Sequence, residues 1–127
     1  KRYPADIVCL GIGENGHIAF NDPSVADYED RALVKIVELE TACRQQQVND
    51  RCFASLDEVP ARAITLTIPA LLSASVLCCV VPASTKADAV YRTLYDEIST
   101  DCPATILRRH DGATLYLDPD SAKRLAL

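Results

Sequence analysis

The chain has 127 residues, 49% of them hydrophobic and 24% charged, a balance that suits one domain around one core. A net charge of −5 and a pI of about 4.9 exclude nucleic acid as the main partner, because a phosphate backbone needs a basic face. No apolar run approaches the ~18 residues of a membrane-spanning helix, and Lys1-Arg2 is not followed by the apolar core of a secretory signal.

No methionine is present, so the chain is expected to be a portion of a longer translation product. The six cysteines are Cys9, Cys43, Cys52, Cys78, Cys79 and Cys102, and none forms a C-x-x-C pair. Cys9, Cys78 and Cys79 lie in apolar runs and are expected to be buried thiols, in keeping with a reducing cytoplasm.

In chain order, Asp6 to Gly11 predicts a strand buried on both faces, running into a loop with three glycines, Gly11 to Gly16. Asn21-Asp22-Pro23 makes a turn. Ala32 to Glu38 predicts a second strand, with Val34 and Ile36 on one face and Lys35 on the other. Thr41 is expected to cap a helix to about Asp50, whose polar interior Cys43-Arg44-Gln45-Gln46-Gln47 is expected mostly in solvent. Ala63 to Ile68 is a third strand, and Pro69 starts a short helix. Ser75 to Val81 has the composition of a central strand. Lys86 to Ile98 carries Ala87, Val90, Tyr91, Leu94 and Ile98 on one helical stripe. Pro103 to Leu107 adds a helical turn, Ala113 to Leu117 a last strand, and Asp118-Pro119 the start of a last helix. Strands alternating with helices predict one α/β domain over residues 1–127 with a mostly parallel sheet. In such sheets ligands bind beyond the carboxyl ends of the strands, which places Gly11 to Pro23 and Pro82 to Lys86 at one edge. His110 and the acidic run Asp27 to Asp30 lack a supporting pattern and read as turn and loop residues.

The segment Gly11-Ile12-Gly13-Glu14-Asn15-Gly16-His17-Ile18-Ala19-Phe20-Asn21-Asp22-Pro23 resembles the signature of the glucosamine-6-phosphate isomerase/deaminase family. The resemblance continues through Asn49 to Phe53, Ala63 to Thr67, Ser84 to Ala87 and Cys102 to Leu107, and covers essentially the whole chain. It implies a three-layer, modified Rossmann-like α/β fold that lacks its N-terminal strands here. The implied reaction converts glucosamine 6-phosphate to fructose 6-phosphate and ammonia in amino-sugar catabolism, without metal or cofactor. Under this resemblance His17 is the ring-opening acid–base group, Asn15 and Asp22 position and polarise it, Arg51 and Lys86 hold the substrate phosphate, and Gly13 and Gly16 shape the substrate loop. It also implies a small sugar phosphate as the partner and a homo-oligomeric full-length protein.

Three departures accompany the match. Asn15 stands where aspartate is common, and Asp22 stands where glutamate is usual, an arm one methylene shorter. The chain is also longer around Gln45 to Val48 than the enteric-type enzyme, and has Leu33 near a basic effector-binding position of that type, so allosteric activation is not expected. The family's proton-abstracting aspartate belongs to an N-terminal half outside this sequence, so the isolated chain is expected to be nearly inactive. The alternatives are a 6-phosphogluconolactonase, an isomerase of another sugar phosphate, and a non-catalytic sugar-phosphate-binding regulator.

Overall fold

The computed structural model describes residues 4–126. Five strands form: β1 (Ile7–Leu10), β2 (Val34–Glu38), β3 (Arg62–Leu66), β4 (Val76–Val81) and β5 (Ala113–Leu117). Three α-helices accompany them: α1 (Thr41–Asn49), α2 (Ile68–Leu72) and α3 (Ala87–Tyr95). β1, β4 and β5 make a three-stranded sheet, parallel throughout, with β4 in the middle. Ser75 to Val81 thus becomes the central strand that its unbroken apolar run predicts.

β2 and β3 do not join that sheet. They pair antiparallel as a separate ribbon, Val34 opposite Leu66 and Ile36 opposite Ile64. Alternation runs as predicted: Val37 is buried and Lys35 half-buried on one face, while Val34 and Ile36 are exposed on the other. Lys35 remains in the half-buried layer because its ammonium donates to Val25 O at 2.7 Å and pairs with Asp30 at 2.8 Å.

The core lies on one side of the parallel sheet. Leu77, Cys79 and Val81 of β4 meet Ile68 and Leu71 of α2, Ala89 and Val90 of α3, and Ile106 and Leu107. Ile12 and Ile18, on either side of the glycine loop, insert into the same cluster and anchor that loop to it. The other face of the sheet is uncovered. Ile7 is 60% exposed, Val80 52% and Tyr116 53%, and Cys9 is exposed with them. β1 is therefore not buried on both faces as predicted, and of the three cysteines expected inside only Cys79 is fully buried, with Cys78 half-buried.

Two helical expectations also shift. α3 stops at Tyr95 instead of Ile98 because Asp96 adopts an extended backbone, and a 3-10 turn over Ser84–Lys86 leads into the helix. Residues after Asp118 form turns, not a helix. Asp118 does accept from Ser121 N at 2.7 Å as a cap would, but its second oxygen accepts from Ala83 N at 3.0 Å. Only Ser121 is fully buried in that segment, so little apolar burial supports a longer helix. Pro103–Arg109 forms a 3-10 helix whose first five residues are all buried. No described helix is long and apolar enough to cross a membrane.

Candidate active site

The glycine loop leaves the carboxyl end of β1, and the Pro82 to Lys86 segment leaves the carboxyl end of β4. Parallel pairing of these strands brings both loops to one edge. The loop closes on itself through Gly13 N to His17 O at 2.8 Å and Gly16 N to Gly13 O at 2.9 Å. A Cβ at Gly13 would collide with the His17 imidazole, so glycine is required for the ring to lie there. Gly16 has a φ of 84° and sits against Cys102, so both conformation and space demand glycine. Downstream, Asn21 is fully buried and donates to Ile18 O and Leu66 O at 3.1 and 2.9 Å, tying the loop to β3.

Asn15, His17 and Asp22 form one hydrogen-bonded group. Asp22 is fully buried and His17 nearly so. The Asn15 amide donates from Nδ2 to Asp22 Oδ1 at 3.0 Å, because a carboxylate can only accept. That orientation turns Asn15 Oδ1 toward His17, whose Nδ1 lies 2.6 Å away. Nδ1 therefore carries the proton and Nε2 carries the lone pair. Asp22 Oδ1 is 3.3 Å from the same Nδ1, and Oδ2 accepts from Glu40 N at 2.9 Å. Asn15 is thus the nearer partner of the imidazole, at 2.6 Å against 3.3 Å for Asp22. Burial lowers the His17 pKa below its ordinary value, opposed by the Asp22 charge and helped by Lys86. The ring is thus a neutral base at neutral pH.

His17 opens onto a pocket of about 260 Å³ that it shares with Gly11, Ile12, Gly13, Ala19, Gln46 and Lys86. Lys86 is half-buried, and that desolvation pulls its pKa down while Asp50 and Glu14 hold it up. The structure brings Gly13, His17 and Lys86 together around this pocket, with Asn15, Gly16 and Asp22 behind it. It does not bring Arg51 there. Arg51 is exposed, has a φ of 62°, and lines a separate groove with Phe53 and Glu58.

Two features escape sequence reasoning. Gln46 belongs to the polar stripe expected in solvent, yet it is half-buried, lines the pocket and accepts from Glu14 N at 2.8 Å. Cys43 is fully buried and Arg44 and Gln47 are half-buried too, so only Gln45 of that interior is exposed, and Glu40 rather than Thr41 occupies the cap; nothing in a run of three glutamines marks which of them turn inward. The described non-glycine residues with positive φ are Ala19, Arg51 and Ala83, at 50°, 62° and 83°; Ala19 and Ala83 lie in the two site loops and Arg51 in the separate groove. Such backbone strain concentrates at functional sites. Cys43 also approaches the histidine group. His17, Asp22 and Cys43 offer ligand atoms within 4.8 Å of one another, the group best placed among the described residues to hold a metal. Asp22 already spends both oxygens on Asn15 and the Glu40 amide, and His17 Nδ1 is engaged by Asn15.

Residues 1–116 match the profile of the glucosamine-6-phosphate isomerase/6-phosphogluconolactonase family. The chain belongs to this family. It is 40% identical over 120 residues to a glucosamine-6-phosphate deaminase of Clostridium botulinum, covering 94% of this chain and 46% of that protein. A glucosamine-6-phosphate deaminase of Bacillus cereus is 41% identical over 128 residues, covering 95% and 47%. A solved monomeric glucosamine-6-phosphate deaminase superposes with a TM-score of 0.84 at 38% identity, over 93% of this chain and 47% of that one. A 6-phosphogluconolactonase from Leishmania guyanensis, at 23% identity and a TM-score of 0.68, shares the fold over 98% of this chain and 43% of its own. The chain thus spans about half the length of the curated relatives it matches.

Proposed function

We propose that the protein to which this chain belongs isomerises and deaminates glucosamine 6-phosphate, giving fructose 6-phosphate and ammonia. The observation that carries this reading is the neutral His17 imidazole, fixed through Asn15 and Asp22, beside Lys86 in one pocket. With its proton held on Nδ1, His17 offers the Nε2 lone pair to the anomeric hydroxyl of the cyclic sugar. It takes that proton and returns it to the ring oxygen as the ring opens, ending as it began. Lys86 provides the compact charge for the phosphate, and Arg51, exposed in the neighbouring groove, is assigned a second contact. The identity of 38–41% to deaminases, against 23% to the lactonase, favours the amino-sugar reaction over lactone hydrolysis.

The proton transfer between carbons 1 and 2 is assigned to a base outside these residues. The isolated chain is accordingly expected to lose ~10²–10⁴-fold or more in rate against an intact parent. A cytoplasmic, homo-oligomeric parent completes the reading, and its mass in solution tests the assembly.

The deciding experiment is ammonia release from glucosamine 6-phosphate by the intact parent beside His17→Asn. The variant is expected to fall by ~10²-fold or more, since asparagine cannot shuttle the proton. Ammonia release that survives the substitution overturns the role of His17. Hydrolysis of 6-phosphogluconolactone with no ammonia from the amino sugar reverses the choice of reaction.

A further inference from the structure

We infer that Gln46 is a specificity-determining residue, donating from Nε2 to an anionic oxygen of the bound sugar phosphate beside Lys86; this rests on the functional reading above. Three observations converge. Gln46 lines the pocket that holds His17 and Lys86. Its Oε1 accepts from Glu14 N at 2.8 Å, which fixes the amide so that both remaining protons are on Nε2. One of those protons reaches Asp50 Oδ2 only at 3.4 Å, and the other has no partner among the described residues.

The pocket is therefore lined with donors on this side: the Lys86 ammonium and the Gln46 amide. Lys86 contributes charge without direction, whereas an amide held at its oxygen has a set direction. Gln46 also ties α1 to the loop carrying Asn15 and His17, so ligand contact and loop position share one side chain.

Gln46→Glu separates these roles. The glutamate keeps an acceptor for the Glu14 amide and replaces the Nε2 donor by a negative oxygen. In the intact parent we expect KM for glucosamine 6-phosphate to rise ~10-fold or more with kcat within ~3-fold, the signature of lost ground-state binding. Gln46→Ala, which releases the loop as well, is expected to raise KM and lower kcat together. An unchanged KM in Gln46→Glu, at an unchanged melting temperature, overturns the assignment. If the parent binds glucosamine 6-phosphate without turnover, the same comparison is read from calorimetric affinity, and equal affinities overturn it. A parent that binds no sugar phosphate sinks the functional reading, and this assignment with it.

Discussion

His17 combines burial with a carboxylate neighbour, and the balance decides how the protein responds to acid. Desolvation holds its native pKa below the ordinary 6.5, while the unfolded chain recovers that value. Between 6.5 and the lowered native pKa the unfolded state binds more protons, so stability falls as pH drops through that window. Urea unfolding at stepped pH should show this slope, and His17→Asn should flatten it. Ala83 is strained in a different way. At φ 83° and ψ 151° it occupies a region that glycine alone visits freely. Ala83→Gly is expected to stabilise the chain by ~1 kcal/mol, strain relief exceeding the added unfolded-state entropy. A lower melting temperature would contradict this. Gly13→Ala, by contrast, places a methyl group against the His17 imidazole. A displacement of the ring by ~1 Å is expected to cost the parent about 10²-fold in activity.

At the level of elements, the Thr67 hydroxyl ties the chain entering β2 to the first turn of α2. Thr67 donates to Ala32 O at 2.7 Å and accepts from Ala70 N at 3.4 Å, fully buried. Thr67→Val keeps the shape and strands both groups, so a loss of ~1–3 kcal/mol in chemical unfolding is expected. Element positions were readable in the sequence because each rests on local periodicity. The stripe of α3, the apolar run of β4 and the alternation of Val34, Lys35 and Ile36 all come from neighbours within a turn or two. The pairing of β2 with β3 was not readable, because alternation gives a strand its faces and says nothing of its partner. The site followed the same division. Gly13, Asn15, Gly16, His17 and Asp22 are contiguous, and Lys86 follows the central strand. Gln46 was missed because a glutamine turned into a pocket and one turned to water have the same spacing. Arg51 sits in a neighbouring groove, and sequence adjacency to α1 does not tell which groove a side chain enters.

At the level of the whole molecule, two apolar surfaces are bare. One is the open face of the parallel sheet, with Ile7, Val76, Val80 and Tyr116; the other is the outer face of the ribbon, with Val34, Ile36, Ile64 and Leu66. Contiguous exposed apolar surface of this kind marks an interaction face. With the chain spanning 46–47% of its relatives' length, we expect further residues of an intact parent to cover the sheet face. Cys9 and Cys78, opposite one another on β1 and β4, report on it directly. Iodoacetamide should label Cys9 in the isolated chain and spare it in the parent. Cys79, whose thiol burial pushes up to about 12, should stay unlabelled in both. Equal labelling of Cys9 in both would show that the face stays open. The isolated chain should also elute from gel filtration above the mass of a monomer, and a sharp monomer peak with a cooperative melt would count against that.

The parallel pairing of β1 with β4 has a kinetic consequence. Ile7 meets Val76 across most of the intervening chain, whereas β4, α3 and β5 follow one another closely. Closing the longer loop costs more entropy before any contact offsets it. The β4–α3–β5 unit should therefore form early in refolding, with β1 arriving later and carrying the glycine loop and His17 into place. Recovery of helical circular dichroism ahead of sugar-phosphate binding would be the trace of that order, and a Leu77→Ala variant, altering the early unit, should slow both phases together.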